Sequence, residues 1–192
     1  MPPKPKFNKE AIVEAAYEIA LEKGLSAITA RSVANRLGSS VAPIYVNFAT
    51  IEDLTTAVVG RVFTITDELV AKYKGANLFE NMGKASLEFA RAYPVLFREL
   101  TMEPNPYMSS YDTVEDSILE ALAEDESMRG LTLDERRKLL FKMRVFQLGL
   151  AAMVANGHLP AWLENWQVEE IFLEVGDELL RIQQIKREEI NQ

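Results

Sequence analysis

Ile12, Ala15, Ala16, Ile19 and Ala20 recur at the i, i+3, i+4, i+7 and i+8 positions of a helix. That 3.6-residue period leaves one apolar stripe to bury. Asn8 stands where such a helix would be capped and Gly24 where it would stop. The same punctuation repeats along the chain. Thr29 caps a short second helix from Ala30 to Leu37, with Val33, Ala34 and Leu37 inward, and Gly38 breaks it. Ser39 or Ser40 caps a third helix to about Phe48, with Ile44 and Phe48 inward. Pro43 falls in its first turn, where the missing N–H has no intrahelical acceptor to lose. Thr50 caps a fourth helix that reaches about Lys74, and Glu52 and Asp53 sit where the helix dipole favours anions. Further helices are expected from Asn77 to about Ala92, Pro94 to Leu100, Val114 to Asp125, Leu133 to Asn156 and Trp166 to Arg187, with Pro104-Asn105-Pro106 as a loop. No alternating β-branched run predicts a strand pair. The expectation is an all-α chain of about nine helices.

Composition narrows the chemistry. The 192 residues hold no Cys, which excludes a disulfide framework, a thiol nucleophile and a zinc-thiolate site. His158 is the one histidine, so a multi-histidine metal site is excluded too. No nucleophile, metal or phosphate motif stands out, and the acids mostly follow exposed helical faces. An enzyme would have to work with an Asp/Glu pair, and none is evident. We therefore expect no catalytic residues, no metal and no cofactor. The start, Met-Pro-Pro-Lys-Pro-Lys, has no apolar run behind it and does not read as a signal peptide. The longest uncharged stretch, Val145 to Leu163, is broken by polar residues, and its unbroken apolar core, Leu148 to Ala155, is too short to span a bilayer. A cytoplasmic protein with no membrane partner is expected.

The charge is unevenly spread. The net is −8, yet residues 1–50 carry six positives and four negatives, a net of +2, which leaves −10 on residues 51–192. The four early acids, Glu10, Glu14, Glu18 and Glu22, are spaced four apart and line one helical face. The rest of that segment has none. This asymmetry suggests a nucleic-acid-binding end on an acidic body, or no more than a solvated helix face.

Two short helices joined by Leu37-Gly38-Ser39-Ser40 and propped by a preceding helix make a helix-turn-helix pattern. The second helix of that motif enters the major groove and its first turn meets the base edges. Residues 1–50 thus form a candidate DNA-binding domain, and residues 51–192 a larger helical domain. Phe7, Ile12, Ala15-Ala16, Gly24, Thr29-Ala30-Arg31, Val33-Ala34, Leu37-Gly38, Ile44-Tyr45, Phe48, Thr50 and Leu54 resemble the amino-terminal signature of the tetracycline-repressor (TetR) family. The likeness covers residues 7–54 and departs at Ile51, where the family usually has Lys. It implies a homodimeric helical transcription regulator, usually a repressor, with DNA contacts at Thr29, Arg31, Ser39, Ser40, Val41, Ala42, Pro43, Tyr45 and Asn47. Lys4 and Lys6 would add phosphate contacts that position without specifying. It also implies an inducer that binds the larger domain and shifts the reading heads out of register. The alternative is a helical ligand-binding or interaction protein whose DNA binding is weak or lost.

Aromatic and Met residues crowd the middle of the chain, and such side chains line adaptable apolar pockets or fill ordinary core. Phe89, Tyr93, Phe97, Met102, Tyr107, Tyr111, Phe146 and His158 are the candidates for an effector pocket that takes an apolar or aromatic small molecule. Two long terminal helices are candidates for a dimer bundle. Leu150 and Val154 lie on the stripe of the first, and Val168, Ile171, Val175 and Leu179 on that of the second, near heptad spacing. A stripe of this kind faces its own core as readily as a partner.

Overall fold

The computed structural model describes residues 7–75, 77–104, 106–108 and 111–190. Among the described residues there are nine α-helices and no strand. They are α1 (Lys9–Lys23), α2 (Ala30–Leu37), α3 (Ala42–Asn47), α4 (Ile51–Lys72), α5 (Leu78–Ala92), α6 (Pro94–Thr101), α7 (Tyr111–Ala123), α8 (Leu133–Asn156) and α9 (Asn165–Ile190). Short 3-10 turns stand at Leu25–Ala27, Pro106–Met108 and Glu126–Met128. The fold is the all-α, helix-turn-helix architecture expected.

Local chemistry sets most boundaries. The Asn8 side chain accepts from the Ala11 N–H at 3.0 Å and starts α1. Thr29 and Ser32 form a reciprocal capping box at α2, as do Thr132 and Glu135 at α8. Thr50 and Asp53 exchange N–H and side-chain oxygens, both at 3.0 Å, at the start of α4. Asn77 Oδ1 accepts from the Glu80 N–H at 2.8 Å to open α5. Boundaries differ from expectation at α7, which runs Tyr111–Ala123 rather than Val114 to Asp125, at α9, which reaches Ile190 rather than Arg187, and at α3. Neither Ser39 nor Ser40 caps α3. Its N-cap is Val41, with no side-chain hydrogen bond, and Pro43 lies in its first turn. Proline is tolerated only there, so it sets the start at Ala42. The Ser39 hydroxyl donates instead to the Ser40 carbonyl at 2.9 Å.

The described residues pack as two compact units, one of those up to Asp67 with those from Tyr93 to Tyr107, the other of those from Glu68 to Ala92 with those from Met108 on. In the first unit α1 packs on α2 and on α6. Its core holds Ile12, Ala16, Val33, Ile44, Leu54, Val58, Leu96 and Phe97. In the second unit α5 packs chiefly on α8, and α9 lies against both. Phe172 is buried there, stacked on Phe79 at 5.4 Å and on Phe146 at 6.4 Å between ring centroids. Its ring occupies the space where a Cβ on Gly83 would stand. α8 has the length and apolarity of a membrane span, with a mean hydropathy of 1.3 over its best window. Its Leu139, Leu140, Met143, Leu150 and Ala151 are buried, while Phe141, Val145 and Met153 are exposed.

Candidate nucleic-acid interface

The reading head is built on α1. Six of its residues, including Ile12, Ala16 and Ile19, are buried and hold it against the rest of the unit. Arg36 on α2 donates to Glu18 at 3.0 Å and to Glu22 at 2.6 Å on α1. This fork explains two of the four acids on that face and fixes the angle between the helices. The Arg36 hydrogen bond, assisted by its charge, holds the Glu22 carboxyl below the usual carboxylate range, and the guanidinium is held charged well above its own ordinary value. A third acid, Glu14, meets Arg61 of α4 at 3.6 Å, and Arg61 lies over the Tyr17 ring at 5.7 Å. Lys9 covers the Phe48 ring at 5.1 Å, which ties the start of α1 to the end of α3.

This clamp makes a prediction. Arg36→Ala leaves Glu18 and Glu22 unpaired one helical turn apart. A carboxyl whose folded pKa is depressed contributes stability above its unfolded pKa and loses it as pH falls through the folded value. The variant should therefore melt below wild type at neutral pH. The gap should narrow in high salt and close as pH falls below the carboxylate range, at about pH 4 and under. Thermal melts across pH check this, and a gap that persists in acid would contradict it.

Between α2 and α3 the chain reverses at Gly38, whose φ of 62° is left-handed and suits glycine. Its N–H bonds Asn35 O and the Ser39 N–H bonds Ala34 O. α3 is only six residues long. Ile44 and Phe48 point inward, fully or almost fully buried. What remains outside is Val41, Ala42, Tyr45 and Val46, with Val46 75% and Tyr45 54% exposed. An exposed cluster of large apolar groups on a short rigid rod is a binding surface rather than a core.

The other expected contacts fall around it. Thr29 and Arg31 are exposed at the start of α2. Among the described residues the Arg31 side chain makes no ion pair or hydrogen bond. Ser40 is exposed, whereas Ser39 and Pro43 are half-buried. Asn47 is half-buried and donates one amide N–H to the Pro43 carbonyl at 2.8 Å, which leaves its second N–H and its oxygen for another partner. Lys4 and Lys6 lie outside the described residues. Val46 was not singled out from sequence, although its place opposite Ile44 and Phe48 on a helix made it legible.

The expected pocket residues are divided between the units. Tyr93, Phe97, Met102 and Tyr107 belong to the first, and Phe89, Tyr111, Phe146 and His158 to the second. Phe97 and Phe89 are buried, Met102 and His158 exposed, and Phe146 lies half-buried in the aromatic stack. Tyr111 opens α7. A cleft of about 290 Å³ in the first unit is lined by Leu25, Ile28, Ile51, Thr55, Tyr107 and neighbours. A cavity of about 110 Å³ in the second lies between α5 and α9, lined by Phe79, Phe172, Leu173, Gly176 and Leu180 and by the polar Asn77, Glu80 and Asp177. Along the terminal helices, Leu150 and Val168 are buried in the chain's own packing, while Val154, Ile171, Val175 and Leu179 are half-buried. Phe141, Val145 and Met153 on α8 and Ile182 and Ile185 on α9 are exposed. Among the described residues no group of acids and histidine could hold a metal ion.

A propped pair of short helices with an exposed, rigid tip defines a helix-turn-helix DNA-binding protein. Residues 12–58 match the family model described as Bacterial regulatory proteins, tetR family. Residues 12–58 are thus similar to the DNA-binding domain of that family, which supports a DNA-binding transcriptional regulator. No curated protein matches the chain.

Proposed function

We propose that the chain is a ligand-responsive repressor, cytoplasmic and homodimeric, released from a near-palindromic operator by a small apolar effector. Residues 1–50 read the DNA, and residues 51–192 bind the effector and form the dimer. The observation that carries this reading is the exposed Val41, Ala42, Tyr45 and Val46 face of α3 within the matched domain. These groups cannot make bidentate bonds to guanine or adenine, but they suit thymine methyls. Arg31, exposed and unpaired among the described residues, supplies the guanine or phosphate contact. The exposed Phe141, Val145 and Met153 stripe on α8 supports pairing with a second copy. The cavity beside Phe79 and Phe172 supports a small ligand with an apolar body, and Asn77, Glu80 and Asp177 on the same lining offer it polar contacts. A coupling of about 1–3 kcal/mol would lower operator affinity roughly 5–150-fold.

One observation favours the second reading, a ligand-binding protein that has lost DNA binding. Ile51, at the position of the usual lysine, is half-buried against the first unit's cleft and offers no charge to phosphate. A gel shift on duplex DNA upstream of the chain's own gene separates the two. The regulator shifts that DNA, and Arg31→Ala weakens the shift by about 1–3 kcal/mol while relaxing one base position. The same consensus for both chains would demote Arg31 to a surface residue, and no shift at all would leave the second reading.

A further inference from the structure

The turn that joins α1 to α2 is held from a distant part of the sequence. Glu99, on α6, accepts from the Leu25 N–H and, at 3.3 Å, from the Ser26 N–H, one carboxylate oxygen to each. Both bonds are charge-assisted, the stronger kind. Gly24 is required beside them twice over. Its φ of 87° is left-handed, and a Cβ there would run into the Glu99 carboxylate. α6 itself is anchored by Leu96, Phe97 and Leu100, all buried, and packs on α1. The fixed turn leads straight into α2. The Ser32 hydroxyl donates to the Ala27 carbonyl at 2.8 Å and accepts from the Thr29 N–H at 2.9 Å, so the turn and the start of α2 share one network.

We infer that Glu99 is a positioning residue for DNA reading, a carboxylate that sets where α2 begins without touching DNA itself. The inference rests on the reading of this unit as the DNA-binding head. The sign of the effect distinguishes it from plain electrostatics. Removing an anion from a DNA-binding unit should tighten its hold on phosphate. Removing a positioning clamp should loosen its hold on the operator alone.

The test measures the affinity of the full chain for its operator and for an unrelated duplex, with hydrogen exchange at the Leu25 and Ser26 amides. Glu99→Ala should bind the operator about tenfold more weakly, the scale of lost hydrogen bonds to a charged group. It should hold the unrelated duplex as tightly as before or more tightly, and exchange both amides faster. Glu99→Gln keeps the shape and one acceptor, so it should fall between wild type and alanine even if the alanine chain folds poorly. Glu103→Ala removes the same charge four residues on and should not weaken the operator complex. Operator affinity in Glu99→Ala equal to or above that of wild type would overturn the inference. A wild-type chain that binds no operator would instead overturn the reading beneath it, and unchanged amide exchange would then remove the clamp as well.

Discussion

Phe172→Ala should cost about 3–5 kcal/mol of stability, the range for deleting a buried ring. Phe172 is only 1% exposed and stacks between Phe79 and Phe146. Its loss leaves a void between two aromatic faces and beside Gly83, against which the ring lies. In a chain of this size the melting temperature should fall by roughly 10 °C. The reverse change has the same root. Gly83→Ala gains about 1 kcal/mol of helix propensity but drives a methyl into the Phe172 ring, and overpacking of this kind costs about 1–3 kcal/mol. Alanine should therefore be neutral to destabilising by about 2 kcal/mol, and leucine at the same place should be far worse. Combining Gly83→Ala with Phe172→Leu should cost less than the two single changes added together, because the smaller side chain vacates the space the methyl needs. Denaturant unfolding of the four chains measures this. Additive losses would show that the ring and the glycine do not share one space.

Val46→Glu should abolish operator binding, with a loss of at least about 100-fold, while the melting temperature stays within a degree or two. The side chain is 75% exposed on the outer face of α3, so folding asks nothing of it. A carboxylate there meets phosphate repulsion and must shed water against a thymine methyl, a like-charge cost of several kcal/mol. Val46→Ala keeps the face apolar and should cost only about 1 kcal/mol, roughly one lost apolar contact. Operator titration beside a thermal melt checks both. Equal operator binding by the glutamate chain would remove α3 from the interface.

Most of the helices could be read from the chain because their signals are local. Asn8, Thr29 and Thr132 cap within three residues, and Gly38 ends α2 by its own backbone. Ile44 and Phe48 fixed the inward face of α3 and, by difference, its outward one. Ser39 and Ser40 misled because two good capping residues stand where the turn has not yet closed, and Pro43 overrides them. Arg36 could have been matched to Glu18 and Glu22 only by knowing how α2 crosses α1. Glu99 left no trace at all, since the amides it binds lie 73 and 74 residues away and carry no side-chain signature. Leu150 and Val168 carried an apolar period that core and interface share, and the fold places both in the core.

The central claim is that the α3 face reads DNA in a two-fold arrangement, and selection from random duplex DNA by the full chain tests it most directly. The account predicts enrichment of a near-palindrome whose half-sites lie one turn apart, about 10 base pairs between centres, with thymines where the Val46 and Ala42 face falls. A chain that enriches no sequence above the starting pool, or only a single asymmetric site, would contradict it.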